Sequence, residues 1–550
     1  LGVACGHNQR GLTGKALPRR VVWEMFTSLA RPNKDNAMQQ FMRRFDECLA
    51  GVLTGFDRLR FRGTLLLLTG EGGMSEYLWH NRVLLRDFNT FVQPLTERVR
   101  AAGERLAGRT PGGRVHYLPT TRISKEQYVQ DILARDPGHE GLVAVLSCVE
   151  PCRGFTVRRD AGLKKLRLKL GERQCLHHYF YFRHRELGLL HVRLQTWFPF
   201  TIHIVLNGRE WLARKLDRAG IGYIRRDNCF THIDDLPRAQ RLFHNQLRKN
   251  WPRLLDALRR SVHPTHRQIT AKCPIDYYWS VDESEWATDL MFRSREDLDA
   301  LYPRLVRHGM RTFGSQDVLR FLGRKFPGSS EVNSDLRRRT EGVRLKHRVN
   351  GNSIKMYDKE GSLLRVETTL LHPKDFRVFR PLQTDPDGPC EWRTLRKGVA
   401  DMHRRAQVCQ AANERYLNRL AEVDSTATVA DLSAPVCRRI VQENRSWRAL
   451  NPLAEDDAAL LAAVSRGEFA INGFRNRDLR TLLCPPTNDP AQRRRQSTQI
   501  TRKLKLLRMH GLIAKVPKTH RYTLTKQGQT TITTLLAARD ASTKQLSQAA

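Results

Sequence analysis

Residues Asn350–Thr369 read NGNSIKMYDKEGSLLRVETT, two short strand-like runs around a turn. The runs, Ser353–Tyr357 and Leu364–Thr369, flank Lys359-Glu360-Gly361-Ser362, which has turn composition. Alternation sends Leu364, Val366 and Thr368 to one face of the second run, and Arg365 and Glu367 to the other. In a hairpin, Lys355 and Tyr357 then lie opposite Arg365 and Glu367. A carboxylate, a phenol and two cations on rigid strands suit phosphodiester chemistry. They equally suit an exposed sheet face laced with ion pairs, and periodicity leaves both open.

Tyr357-Asp358-Lys359 followed by Arg365-Val366-Glu367 resembles the Tyr-Asp-Lys and Arg-x-Glu strand pair of rolling-circle replication initiators of plasmids and filamentous phages. The resemblance covers about twenty residues. It implies that Glu367 helps hold a divalent metal, Mg²⁺ or Mn²⁺, beside a nucleophilic tyrosine at Tyr357. Where many such enzymes carry His-hydrophobic-His, Ile202-His203-Ile204 has one histidine.

The 550 residues carry 95 Lys+Arg against 56 Asp+Glu, a formal charge of +39. Self-repulsion on that scale calls for a polyanionic partner, and DNA is expected over RNA. No apolar run is long enough to span a membrane. Hydrophobic residues at 40% exclude wholesale disorder, and the length suits about two to four domains. The eleven cysteines show no repeated Cys-x-x-Cys spacing. Cys148/Cys152 and Cys175/His177/His178 come nearest to metal-ligand clusters, but lack four tightly spaced ligands and read as reduced thiols. A reducing cytoplasm is the expected location.

Residues 1–24 read as an unstructured extension, with Met25 a candidate start. Residues 36–262 read as a mixed α/β nucleic-acid-handling region. Within it, Asp57, Leu59 and Phe61 alternate with Arg58, Arg60 and Arg62, so one strand face is a phosphate-contacting candidate. Asp57 reads either as a metal-holding acid, like the first acid of a ribonuclease-H-like nuclease, or as a strand-end residue paired to a neighbouring arginine. Glu150 closes the apolar run Gly141–Val149, a usual place for a catalytic acid. Asp57, Glu150 and an unassigned third acid make a candidate metal trio.

Arg153–Arg173 holds eight Lys/Arg against two acids, with Arg167 and Lys169 on the basic face of an alternating strand. The aromatic runs His178–Phe182 and Val192–Phe198 beside it suit a base-stacking platform or a sheet core. Asn207-Gly208 opens a helix that ends at Gly220, and Leu236–Arg260 reads as one helix perturbed by Pro252.

Pro264–Pro274 reads as a boundary, followed by an α+β region at 274–380 that carries the hairpin. Asp282, Glu283 and Glu285 are ion-binding candidates, with helix capping around Ser284 the preferred role. Trp392–Val423 reads as a long amphipathic helix, giving a helical spacer at 390–430.

Residues 454–536 form a separate module of three helices and a hairpin. Leu507-x-x-His510-Gly511-Leu512-Ile513, followed by a basic turn, resembles a winged-helix domain of the multiple-antibiotic-resistance regulator type. Arg493–Arg521 contains ten Lys/Arg and no acid, the polarity that groove and backbone contact require. Arg493, Arg494, Arg495, Gln499, Arg502, Lys503, Lys505, Lys515, Lys518 and Arg521 are the candidate contacts. The expectation is a multidomain α/β (mixed α+β) DNA-binding protein of the mobile-element or replication type, with metal-dependent strand cleavage at Tyr357, Glu367, Asp57 and Glu150. The alternative is a non-enzymatic winged-helix regulator or ribonucleoprotein component.

Overall fold

A computed structural model describes residues 38–542 apart from 121–123, 161, 163, 324–331, 340–341, 383–384, 386, 424–427, 443–444, 467–468, 470–472 and 518. The extension at 1–24 and Lys518 lie outside the described residues. Helix α1 (Met38–Arg44) precedes β1 (Leu49–Leu65), α2 (Glu71–His80), α3 (Phe88–Ala107), β2 (Val115–Tyr117) and α4 (Lys125–Arg135). The long ribbon β3 (Gly141–Asp160)–β4 (Lys165–His184) leads to β5 (Gly188–Gln195), β6 (Ile202–Asn207) and α5 (Gly208–Ala219). The hairpin β7 (Tyr223–Arg226)–β8 (Cys229–Ile233) and helices α6 (Leu236–His244), α7 (Trp251–Val262) and α8 (His266–Ile269) come next.

Strand β9 (Tyr277–Phe292) is followed by α9 (Arg295–Thr312) and α10 (Ser315–Phe321). A meander, β10 (Asn333–Arg339), β11 (Gly342–Val349), β12 (Asn352–Lys359) and β13 (Leu363–Leu370), then precedes the hairpin β14 (Arg377–Arg380)–β15 (Glu391–Thr394) and α11 (Met402–Leu420). The C-terminal elements are α12 (Val429–Ser433), β16 (Ile440–Gln442), β17 (Arg445–Trp447), α13 (Glu455–Val464), α14 (Asn476–Leu483) and α15 (Pro490–Met509). They end with β18 (Ile513–Lys515), β19 (Tyr522–Leu524) and α16 (Lys526–Asp540).

The result is a mixed α/β protein dominated by one eleven-stranded sheet, ordered β10-β11-β12-β13-β9-β1-β6-β5-β4-β3-β2. Neighbouring strands run antiparallel except β2 and β3. The boundary read at Pro264–Pro274 does not divide this sheet, because β9 pairs with β1 on one side and β13 on the other. Tyr277–Phe292 is a strand, so Ser284 caps no helix; it is fully buried opposite Leu59 and Leu370. The cap belongs ten residues on, where the Ser294 hydroxyl accepts from the Asp297 N–H.

Asn207 caps α5 by accepting from the Arg209 and Glu210 amides, and Gly220 ends it at φ 64°. Gly208 lets the helix start against β1: a Cβ there would sit 1.7 Å from the Phe56 carbonyl oxygen. Leu236–Arg260 is two helices rather than one, since Asn250 caps α7 and Pro252 sits in its first turn, where its missing N–H costs nothing.

The helix read over Trp392–Val423 begins only at Met402, and Trp392 lies in β15. It is no spacer. Asn413 donates to the carbonyls of Trp286 and Val366, and accepts from the Thr368 hydroxyl at 2.7 Å. Arg405 donates to the Val281 and Leu370 carbonyls, so α11 is stitched across β9 and β13.

His178–Phe182 is buried throughout. Phe180 and Phe182 join the main core with Val99 of α3, while Tyr179 and Tyr181 pack with Val129 and Ile132 of α4. Helices cover both faces there, so these aromatics are core and not a stacking platform.

The C-terminal elements have their own core, including Leu461, Leu479, Ile500, Leu504, Leu507 and Ile532. Helix α15 starts at Pro490, with Asp489 as its cap. At the start of α14, Asp478 accepts from the Arg475 N–H at 2.8 Å. Asn476 donates to the Ser497 carbonyl on α15. Among the described residues no helix is long and apolar enough to cross a membrane.

Candidate functional site

The hairpin β12–β13 turns through Glu360 and Gly361, both left-handed (φ 55° and 59°), as primed hairpin turns require. Its register sets Lys355 opposite Glu367 and Tyr357 opposite Arg365. Pairing continues across the sheet in rows. One runs Arg344, Tyr357, Arg365, Asp289; the next runs Lys346, Lys355, Glu367, Ala287, Gly55. A third runs Arg348, Ser353, Thr369, Glu285, Arg58. Gly55 at the end of the second row admits the Phe243 ring, whose Cε1 lies 2.3 Å from where a Cβ would sit.

Asp57 reaches this cluster through a bulge. Phe56 pairs with Trp286 and Arg58 with Glu285, leaving Asp57 as the extra residue. One carboxylate oxygen each from Asp57, Glu285 and Glu367 lies within 4.8 Å of the others.

This face is not exposed, as the ion-pair reading required. Tyr357 is 4% exposed, and Arg365 and Glu367 are fully buried. The Tyr357 hydroxyl donates to Glu367 Oε2 at 3.0 Å. Lys355 Nζ lies 2.6 Å from Glu367 Oε1 and 3.3 Å from Glu285 Oε1. Arg365 is held by Asp289 at 2.5 and 2.8 Å and by Asp57 at 3.1 Å. From α5, Arg209 donates to Asp289 at 2.7 Å; from the β7–β8 turn, Asn228 donates to both Asp57 oxygens. Asp57 is therefore a mid-strand acid paired to arginines distant in sequence, not a strand-end residue paired to a neighbour.

Among the described residues, the direct ion pairs of the cluster join four carboxylates to three cations. The deficit falls on two acids. Burial pushes Asp57 up despite Arg365 and Arg209. Burial and Glu285 push Glu367 up despite Lys355 and Arg365. Burial also opposes the charge of Asp289, but Arg209 and Arg365 outweigh it and hold Asp289 below its ordinary value. Burial and Glu367 raise Tyr357 well above the ordinary phenol range, so its proton needs an acceptor. Three hard oxygen donors, with proton affinity raised at Asp57 and Glu367, form a ligand set suited to Mg²⁺ or Mn²⁺.

Glu150 is elsewhere. It lies mid-strand because β3 runs on to Asp160, and β6, β5 and β4 separate it from β1. At about 4.8 Å per strand, four strand spacings alone put it at least about 19 Å from Asp57, so the two share no metal. Its partners are Arg193 at 2.7 Å, Lys125 at 3.4 Å and the Tyr179 hydroxyl at 2.8 Å. Burial opposes its ionisation, yet the Cys148 hydrogen bond, Arg193, Tyr179 and Lys125 bring it down to about 2.

Of the arginines on β1, Arg58 is exposed, whereas Arg60 is half-buried and faces Asp282 at 3.6 Å and Glu283 at 3.9 Å. Arg62 is half-buried too. Arg167 and Lys169 are exposed on the distal ribbon, Arg167 lying 3.1 Å from Asp160. Arg493, Arg494, Arg495, Gln499, Arg502, Lys505 and Lys515 are exposed, and Lys503 is half-buried. Lys505 Nζ sits 4.9 Å over the Trp447 ring. Arg521 is half-buried, 4.4 Å over the ring of Phe379, which belongs to the main body.

Glu285, Asp289, Arg209 and Asn228 were not legible as cluster members. Glu285 is one of the ion-binding candidates of the sequence for which helix capping is the preferred role; the mainly apolar stretch Trp286–Phe292 behind it is the available signal for a strand. Comparison with protein families, characterised proteins and solved structures finds no match for this chain.

Proposed function

We propose that the chain is a DNA-binding protein that cleaves one strand with a divalent metal at Asp57, Glu285 and Glu367, using Tyr357 as nucleophile. The observation that carries this reading is the convergence of three carboxylates on one point beside a tyrosine whose hydroxyl already donates to Glu367. Nucleophile and acceptor at 3.0 Å are within the reach that proton transfer needs. The resemblance of Tyr357–Lys359 and Arg365–Glu367 to rolling-circle initiators supports the same assignment.

In this reading Glu367 receives the phenolic proton as Tyr357 Oη bonds to phosphorus. The phosphorus–oxygen bond to one deoxyribose breaks, and the departing oxygen leaves as a hydroxyl after taking up a proton. A bound Mg²⁺ or Mn²⁺ would neutralise phosphate charge. Arg365, locked by Asp57 and Asp289, positions the pair. Glu285 and Lys355, which reach solvent (side chains 16% and 12% exposed), mark the side of approach, with exposed Arg58 beside them. The C-terminal three-helix and hairpin module serves as a winged helix, with α15 reading DNA and the β18–β19 turn contacting backbone.

The test is nicking of a supercoiled plasmid with Mg²⁺ or Mn²⁺. Glu367→Gln keeps shape and removes charge, so cleavage should disappear while plasmid binding persists. Tyr357→Phe should eliminate the covalent protein–DNA adduct. Normal cutting by both variants would reduce the hairpin to a structural role, and a wild type inert with either metal would leave a binding-only regulator.

A further inference from the structure

The root of the β3–β4 ribbon brings together a second set of ligand atoms. Cys152 on β3 and Cys175 and His177 on β4 each place one sulfur or ring nitrogen within 4.8 Å of the others. Cys152 pairs with Arg173 and Cys175 with Glu150, so the cysteines are diagonal neighbours, and His177 follows Cys175 on the same strand face. Their sulfurs lie 2.9 Å apart. Cys175 and His177 are buried and Cys152 is half-buried.

His177 Nδ1 lies 3.1 Å from the Cys175 carbonyl oxygen. A proton donated there leaves Nε2 bare, 4.0 Å from Cys175 Sγ. Metal-ligating imidazoles are held in this way, one nitrogen anchored to a carbonyl and the other facing the ion. The cations nearby are engaged elsewhere: Arg173 lies 4.2 Å over the Trp197 ring and donates to the Phe155 carbonyl, and Arg193 pairs with Glu150.

We infer that Cys152, Cys175 and His177 bind a thiophilic divalent cation, Zn²⁺ foremost, with solvent completing the coordination on the Cys152 side. Two thiolates on tetrahedral zinc stand about 3.8 Å apart, so the sulfurs open by roughly 0.9 Å from the separation found here. A disulfide fits the register less well. Diagonal partners have Cα atoms about 7–8 Å apart, beyond the usual disulfide span of about 4.4–6.8 Å.

The experiment uses the full chain, loaded with ZnSO₄ and freed of excess by gel filtration. Elemental analysis should find one zinc per chain that Cys152→Ser/Cys175→Ser abolishes and Glu367→Gln leaves unchanged. Reloading wild type with Co²⁺ should produce thiolate-to-cobalt charge-transfer absorption, a signature independent of any folding defect in the variant. Chelation should lower Tm, and ZnSO₄ should restore it. A wild type that retains no zinc and shows no cobalt–thiolate band would overturn the site, as would equal zinc in the double variant. Recovery of Cys152 and Cys175 as a reducible disulfide pair would also overturn it, in favour of a dithiol.

Discussion

Glu367 and Asp57 hold their protons more tightly folded than unfolded, and this fixes the sign of a pH effect. A carboxyl with a raised folded value contributes stability below its unfolded value of about 4. That contribution fades as pH rises through the folded value. A divalent cation binds the ionised form, so metal-induced stabilisation should grow with pH. Thermal melts with and without Mn²⁺ at pH 5 and pH 8 should show the larger Tm gain at pH 8; an equal gain at both would remove these carboxylates from the metal site. At this scale the sequence was informative about pairs and silent about the cluster. Alternation and a turn are local, and they set Lys355 and Tyr357 opposite Arg365 and Glu367; which faces which comes only from the register, Lys355 with Glu367 and Tyr357 with Arg365. Asp57 arrives through a bulge, and Glu285 and Asp289 through a strand some seventy residues upstream of the hairpin. Neither leaves a periodic trace.

Elements with a single clear signal matched their reading, as α5 does between its Asn207 cap and Gly220. Helix α11 buries apolar residues such as Met402, Ala406, Cys409, Tyr416 and Leu420, but its inner side also carries Arg405, Gln410, Asn413 and Asn418, where an amphipathic pattern predicts apolar residues. Arg405 and Asn413 satisfy strand carbonyls and Gln410 accepts from Thr54 and Trp286, so their loss should be costly. Asn413→Leu strands the Trp286 and Val366 carbonyls and removes the partner of Thr368. At about 1–3 kcal/mol per orphaned group, urea unfolding should show a loss of about 3 kcal/mol or more. A change within about 0.5 kcal/mol, usual for surface positions, would mean the helix is not stitched to the sheet as described. The aromatic strand teaches the complementary point, since consecutive aromatics need not face outward when helices cover both sides of a sheet.

Across the whole molecule, where the formal charge is +39, exposed basic residues cluster on the distal ribbon, the β10 edge and the C-terminal helix α15, with Arg58 on β1. With roughly six to ten phosphate contacts, affinity for DNA should fall about 10³–10⁵-fold between 50 and 200 mM salt. Fluorescence anisotropy at several salt concentrations measures this, and a flat response would exclude a long phosphate track. Composition carries the expectation of a polyanionic partner and says nothing of the sheet: its order joins segments hundreds of residues apart, and a boundary drawn from proline spacing cuts through it.

That order has a consequence during synthesis. Strand β1 is central and largely buried, yet β9, its partner on one side, emerges only after residues 66–276 have been made. At about 5–20 residues per second, the nascent chain carries an open β-edge for roughly 10–40 s. Chains truncated between β6 and β9 should therefore aggregate, whereas truncation after Val423, with β9, β13 and α11 in place, should give soluble protein in a simple fractionation assay. Ribosome pausing or a holdase acting within that window would set the yield of this fold more strongly than any single contact in the finished sheet.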